Sequence, residues 1–254
     1  MICDCHLHLD MFNDSEIASL IDESKNVKFM ITNSVDLDSC KRGLYLGGKY
    51  SIVKVACGLY PQDAHAKETG KEKDSFEDFE KFVLENKKEI VAIGEIGMDF
   101  VSGSRENSVE QEKLFRKQLE LASKLNIPAI IHTRGAEKEI VKILEEYGGV
   151  KRILHCFCGS MKLVEKAVEI GCYFSIPTSI VRMENFRKML EIVPRKKILT
   201  ETDAPFLSPF KGKRNKPIYI SETIKIISEI WKVSIEEVEK IIEENFERIF
   251  LVKE

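Results

Sequence analysis

Near its N-terminus the chain reads Asp4-Cys5-His6-Leu7-His8-Leu9-Asp10, in which polar and apolar residues alternate. Side chains on an extended strand point alternately to its two faces. The sequence therefore predicts one face with Asp4, His6, His8 and Asp10, and another with Cys3, Cys5, Leu7 and Leu9. Two imidazoles on one face can bind a single cation, since imidazole is a common metal ligand. The pair alone is weak evidence, because so short a motif also arises by chance.

Size and composition indicate one soluble domain over residues 1–254. The length matches the ~250 residues typical of an eight-fold α/β barrel, and 43% hydrophobic with 32% charged residues suits a globular protein. No apolar run is long enough to cross a membrane, and no basic segment followed by an apolar stretch opens the chain, so we expect a cytoplasmic location. The net charge of -3 excludes a generally basic nucleic-acid-binding surface.

The seven cysteines are an odd number spread along the chain, which does not indicate a disulfide framework. We expect reduced, mostly buried thiols. A structural zinc site built on the Cys3/Cys5 and Cys156/Cys158 pairs is a weaker alternative, because such sites usually space their cysteines more widely.

Apolar stretches with a period of two alternate with stretches of helical period along the whole chain. Eight strands are predicted, at 2–8, 27–32, 52–57, 89–95, 127–132, 152–155, 172–176 and 197–203. Helices are predicted between them, and two more near 218–231 and 234–250 follow the last strand. This order is typical of a (β/α)8 TIM barrel with extra C-terminal helices; a doubly wound open sheet is the alternative.

Six side chains of metal-binding types fall at the carboxyl ends of these strands, where barrel enzymes build their active sites. They are His6, His8, Glu95, His132, His155 and Asp203. A single histidine at a strand end is more often structural, but six such residues on one rim indicate a metal centre.

The donor set suits zinc, manganese, iron or magnesium. Four histidines and two carboxylates exceed the three protein ligands of a mononuclear catalytic zinc, whereas two divalent cations would use them all. Glu95 is the expected bridge, because Gly94 and Gly97 remove bulk on either side of it.

Several motifs, in this order along the chain, resemble those of the TatD-like metal-dependent hydrolases. They are the stretch 4–10, Gly94-Glu95-Ile96-Gly97-Met98-Asp99, Ile131-His132-Thr133-Arg134, His155-Cys156-Phe157-Cys158-Gly159-Ser160 and Glu201-Thr202-Asp203-Ala204-Pro205-Phe206-Leu207. The resemblance implies a barrel of the amidohydrolase type and a hydrolase usually described as a deoxyribonuclease. It also implies one metal held by His6, His8, Glu95 and Asp203, and a second held by Glu95, His132 and His155.

One loop departs from the family pattern. After the third strand the family commonly has Gly-x-His-Pro-His, whereas this chain has Gly58-Leu59-Tyr60-Pro61-Gln62. The metal ligands are unaffected, but any acid, base or phosphate contact from the two histidines is in doubt. His65 is a candidate substitute that would contact substrate.

The expected reaction is hydrolysis of a phosphodiester in DNA, single-stranded or at ends, as in a 3'-5' exonuclease. The metals would lower the pKa of a water that attacks phosphorus, with Asp203 as general base. Arg134 is the first candidate phosphate contact, and Lys213 and Arg214 in the basic loop 211–216 are the second. Such contacts to the backbone of DNA would be independent of sequence.

Two other functions stay open. The same metals could cleave an ester, as in D-aminoacyl-tRNA deacylation, or an amide, because a metal-activated water attacks carbonyl carbon as readily as phosphorus. The second is metal binding without turnover, which the missing loop histidines suggest. We expect no membrane association and no protein partner.

Overall fold

The computed structural model describes residues 1–61, 75–102 and 105–251, in which eight parallel strands alternate with helices. The strands follow one another around the sheet in chain order. They are β1 (Ile2–Leu7), β2 (Val27–Asn33), β3 (Val53–Cys57), β4 (Ile90–Asp99), β5 (Ala129–Arg134), β6 (Arg152–His155), β7 (Tyr173–Pro177) and β8 (Ile198–Glu201).

The α-helices of the described residues lie between the strands and after β8. They are α1 (Asp14–Glu23), α2 (Leu37–Lys49), α3 (Phe76–Glu85), α4 (Ser108–Leu125), α5 (Glu137–Leu144), α6 (Met161–Glu169), α7 (Glu184–Ile192), α8 (Ile220–Trp231) and α9 (Ile235–Phe246). Within the described part of the chain, no helix has the length and apolar character needed to span a bilayer.

The two ends of the sheet meet, which makes a nearly closed barrel. The hydroxyl of Thr200 donates to the carbonyl oxygen of Cys3 at 2.6 Å, and the backbone N–H of Asp203 donates to the carbonyl oxygen of His6 at 2.8 Å. The predicted (β/α)8 barrel with additional C-terminal helices is therefore confirmed, and the open sheet is excluded.

Two apolar clusters hold the barrel together. One fills its interior and the other lies between the strands and the surrounding helices. Burying one large aliphatic or aromatic side chain contributes about 1.5–3 kcal/mol. The interior cluster contains Cys3, Cys5, Ile31, Ala56, Ala92, Ile130, Ile153 and Leu199, and is completed by Phe246, Ile249 and Phe250 from the last helical segment.

A bulge in β1 changes the faces predicted for this strand. Asp4 is opposite Met30 of β2 and Leu7 is opposite Thr32, so two residues of β1 face the single residue Ile31. Cys3 and Cys5 consequently belong to the interior cluster, whereas Leu7 and Leu9 pack in the outer one. The prediction that these four residues share a face is wrong, because a bulge shifts the alternation of side chains.

β4 carries a second bulge and is longer than predicted. Ile93 pairs with Ala129 and Ile96 with Ile131, which leaves Gly94 and Glu95 opposite a single residue of β5. The strand then continues to Asp99, so Glu95 lies within the strand and not at its end. Bulges beside active sites commonly redirect a side chain, and both bulges here carry a predicted metal ligand.

Glycines allow β4 to approach its neighbours around Glu95. A Cβ atom on Gly97, whose φ is +147°, would lie 2.0 Å from the carbonyl oxygen of His132. A Cβ on Gly94 would lie 2.8 Å from the Cβ of Ile130. The expectation that these two glycines remove bulk beside Glu95 is confirmed.

Replacing Gly97 by alanine should lower the stability of the protein. The new Cβ meets backbone that cannot move aside and the φ is unfavourable for alanine, so we expect a loss of about 3 kcal/mol or more in the free energy of unfolding. Urea denaturation measures it. Gly48→Ala is the matched control, because a Cβ added to this glycine of α2 meets no described atom within 4 Å apart from its chain neighbours and the backbone of its own helix; this variant should gain up to about 1 kcal/mol in the free energy of unfolding. Equal stability of the two variants would show that β4 tolerates a side chain at Gly97.

Candidate metal centre

The six predicted metal-binding side chains lie together on the side of the barrel that holds the carboxyl ends of the strands, although Glu95 itself lies within β4. Each of the four histidines has a ring nitrogen within 3.6 Å of an oxygen of Glu95. All six side chains are largely buried, with Asp203 the most exposed at 14%. They come from β1 and the residue after it (His6, His8), β4 (Glu95), β5 (His132), β6 (His155) and the segment following β8 (Asp203).

The two oxygens of Glu95 face different histidines. Oε2 lies 3.6 Å from Nε2 of His6 and 3.5 Å from Nε2 of His8. Oε1 lies 2.8 Å from Nδ1 of His132 and 3.3 Å from Nε2 of His155. Asp203 joins the first group, with Oδ1 3.5 Å from His6 and 3.4 Å from His8. Glu95 thus lies between two sets of donors.

The residues fit a divalent cation. His6 is fully buried, yet neither of its ring nitrogens has a hydrogen-bond partner among the described residues, and a buried polar group without a partner is costly. The ligand atoms of His6, His8 and Asp203 all lie within 4.8 Å of one another, as do those of His6, Glu95 and His155. Cation binding would give the His6 ring such a partner.

The charges of the protein itself are arranged around Glu95. Burial would raise the pKa of Glu95, but the imidazoles of His6, His132 and His155 hold it well below its usual range. Burial lowers the pKa of His6, and the neighbouring His155 lowers it further. Burial also acts to lower the pKa of His8, but the hydrogen bond to Asp203 and the charge of Glu95 outweigh it and raise this pKa to about 9.

In His8 and His155, the ring nitrogen that faces away from Glu95 is held by oxygen atoms of the protein. Nδ1 of His8 donates to the carbonyl oxygen of Asn33 at 3.0 Å. Nδ1 of His155 lies 3.3 Å from both oxygens of Glu201, a carboxylate that also accepts from Ser175. Such partners fix the ring and its tautomer, so that the other nitrogen faces the centre. No role was predicted for Glu201 from the sequence, although its position two residues before Asp203 was a usable signal.

His132 is held by a pair of residues, Tyr60 and Asp99. Its Nε2 lies 3.3 Å from Oδ2 of Asp99 and 3.0 Å from the hydroxyl of Tyr60, which also donates to Asp99 at 3.0 Å. Asp99 further accepts from the backbone N–H groups of Val101 and Ser102. Tyr60, which stands where the family commonly has a histidine, therefore contacts a candidate ligand directly.

The backbone at Asp203 is in the left-handed region, with φ of +58°, which is uncommon and costly for a residue other than glycine. Neighbouring hydrogen bonds hold it there. The N–H of Thr202 donates to Asp4 at 3.0 Å, and the side-chain amide of Asn215 donates to the carbonyl oxygen of Thr202 at 2.7 Å. Asp4, predicted on the metal-binding face, therefore accepts a hydrogen bond that holds the segment carrying Asp203.

The centre opens into a cavity of about 670 Å³. Besides five of the six candidate ligands, all but His6, its lining includes Tyr60, Arg134, Cys158, Met11 and Phe206. Arg134 is exposed, and its Nη1 donates to the hydroxyl of Ser102 at 2.9 Å. The predicted phosphate contact therefore lies beside the centre.

Two other predicted substrate contacts, Lys213 and Arg214, are not among the described residues that line this cavity. Arg214 pairs with Glu16 at 2.8 Å and donates to the carbonyl oxygen of Met11 at 3.2 Å. The Nζ atom of Lys213 lies 5.6 Å from the centre of the Phe210 ring. His65 lies outside the described residues. Substrate contact by Lys213, Arg214 and His65 stays a prediction.

Known proteins of similar sequence and structure settle the family. A sequence model of the TatD related DNase family matches residues 3–251. The chain belongs to this family. It is 33% identical to an uncharacterized metal-dependent hydrolase of Methanocaldococcus jannaschii, MJ1582, over 97% of this chain and 94% of the relative. It is 31% identical to human deoxyribonuclease TATDN3, over 98% of this chain and 94% of the relative.

A solved structure agrees with this assignment. The TatD homologue YjjV of Escherichia coli has a TM-score of 0.87 at 25% identity, and the match covers 99% of this chain and 98% of YjjV. This member of the TatD related DNase family is therefore a metal-dependent hydrolase of ester bonds.

Replacing Glu201 by glutamine should weaken metal binding by this TatD related DNase. The substitution keeps the size of the side chain but removes the charge beside Nδ1 of His155, and loss of such a partner typically costs about 10- to 100-fold in metal affinity. Titration with Mn²⁺ or Zn²⁺ by calorimetry measures it. Glu165→Gln, which changes an exposed carboxylate on α6, should bind metal like the wild type. Unchanged affinity in Glu201→Gln would show that Glu201 does not support the centre.

Proposed function

We propose that this chain is a deoxyribonuclease that removes nucleotides from DNA ends in the 3'-5' direction with two divalent cations. The observation that carries the proposal is the division of the donors by Glu95, whose two oxygens face different pairs of histidines. His6, His8, Asp203 and Oε2 of Glu95 would hold one cation. His132, His155 and Oε1 of Glu95 would hold the other.

The side chains of the protein have separate tasks in this proposal. Divalent cations lower the pKa of a bound water and stabilise charge on phosphoryl oxygens. Asp203, the most exposed of the six candidate ligands, orients the attacking water and accepts its proton as general base. Arg134 at the cavity wall contacts the phosphate, for which its planar guanidinium is well suited.

DNA is the favoured substrate because a relative at 31% identity is named a deoxyribonuclease and because the cavity offers an exposed arginine to a phosphate. The overall charge of -3 confines attraction to this local region. An ester such as D-aminoacyl-tRNA is the competing substrate. Incubation with end-labelled single-stranded DNA and, separately, with D-aminoacyl-tRNA decides between them; cleavage of the tRNA ester alone would contradict the proposal.

Asp203→Asn should abolish most turnover of DNA. Asparagine keeps the shape and an oxygen donor but cannot accept a proton, and loss of a general base typically costs about 100- to 10,000-fold in kcat. Initial rates on single-stranded DNA measure the loss, and elemental analysis checks that metal is retained. A rate within a few-fold of the wild type would remove Asp203 from the proton transfer.

Glu95→Ala should lower the metal content from about two ions per chain to less than one. Both cation positions share this carboxylate, and the imidazoles left behind would repel one another once they are protonated. Elemental analysis after gel filtration gives the stoichiometry. Glu137→Ala is the matched control, since Glu137 lines the same cavity outside the donor set and its loss should leave the content unchanged. Two ions per chain in Glu95→Ala would refute the bridging role.

A further inference from the structure

The mouth of the cavity has an apolar side that the proposed chemistry does not use. Phe206 is 50% exposed and Met11 is 41% exposed, and both line the cavity beside the candidate metal centre. The ring of Phe206 meets the ring of His8 edge to face, with centroids 6.1 Å apart and planes at 71°. An aromatic side chain in contact with a candidate ligand is thus half open to solvent.

The backbone holds Phe206 firmly although its side chain is exposed. Its N–H donates to the carbonyl oxygen of Asp203 at 2.7 Å, and the carbonyl oxygen of the preceding Pro205 accepts from the N–H of Asn215 at 3.0 Å. The carbonyl oxygen of the following Leu207 accepts from the hydroxyl of Thr178 at 3.0 Å. The backbone that carries the ring is therefore held at the mouth, and a group on an ordered backbone loses less entropy when it binds a ligand than one on a loose loop.

Polar and apolar groups are combined in this cavity in a way that matches a nucleotide. Arg134 supplies an exposed positive charge, the candidate metal centre lies at the bottom, and Phe206 and Met11 supply apolar surface. A nucleotide likewise joins a charged phosphate to a flat apolar base. Aromatic side chains bind unpaired bases by stacking, with little dependence on the identity of the base.

We propose that Phe206 stacks against an unpaired base of one of the two nucleotides that flank the scissile phosphate. The inference rests on the proposed deoxyribonuclease function and specifies its substrate as a single-stranded or frayed end. A base inside a duplex is already stacked on both sides and cannot offer a face to the ring. The contact sets substrate preference and leaves the proton transfers unchanged.

The test is a double-mutant cycle in which the Phe206 ring, the terminal bases of the DNA, or both are removed. The wild type and Phe206→Ala, loaded with Mn²⁺, cleave a single-stranded oligonucleotide and a copy whose last two nucleotides are abasic. We expect the abasic ends to raise KM of the wild type about 5- to 150-fold, which corresponds to the ~1–3 kcal/mol known for stacking of one base. Phe206→Ala should show a similar rise with normal DNA and no further rise with abasic DNA. Binding of both oligonucleotides by fluorescence anisotropy in EDTA should follow the same pattern.

Three controls separate stacking from a structural effect on His8. Phe206→Trp should restore a low KM, because tryptophan also offers a flat face. Tyr45→Ala removes an aromatic ring of similar exposure, 53%, from α2 outside the cavity and should behave like the wild type. Metal content and the urea midpoint of Phe206→Ala should match those of the wild type.

Two results would overturn the inference in different ways. Equal loss on abasic DNA in the wild type and in Phe206→Ala would show that the ring does not touch a base, while the deoxyribonuclease function would stand. Neither binding nor cleavage of any DNA by the metal-loaded wild type would refute the proposed function, and the stacking proposal with it.

Discussion

The Glu95 carboxylate carries its charge in a place that is almost closed to water, with 3% of the residue exposed. A buried charge is tolerated only when it is paired, and four imidazoles approach Glu95 from three other strands or strand ends. Removing one partner would leave the others poorly compensated, so these side chains depend on one another. The bulges, the close-approach glycines and the residues behind the histidines all maintain this arrangement.

The order of strands and helices could be predicted because each strand is buried on both faces and reads as a short apolar run between helical patterns. The two bulges could not be predicted in this way. They depend on how β1 is paired with Ile31 and how β4 is paired with β5, and a period counted along one strand contains no information about its neighbour. For this reason the predicted face of Cys5 was wrong, and Glu95 was expected at the end of β4.

The six candidate donors could be proposed because their residue types are unusual at or near the ends of apolar strands. The structure brings these side chains together, and their binding of metal stays a prediction. Their partners were harder to predict. The contact between Tyr60, Asp99 and His132 depends on a fold that joins residues 39 and 72 positions apart. Arg214 similarly pairs with Glu16, 198 residues away, so an arginine expected near substrate has a partner that its local sequence does not indicate.

Different physical constraints act on the residues at the bottom of the cavity and on those at its mouth. At the bottom, burial and charge pairing constrain each candidate ligand, so substitution there costs stability or metal as well as activity. At the mouth, Arg134, Met11 and Phe206 are exposed side chains, whose replacement typically costs little stability. The family identifies the enzyme as a hydrolase of ester bonds, but a phosphodiester and an aminoacyl ester would meet the same donors. Because the donors do not discriminate between these substrates, selection among them has to come from side chains outside the donor set.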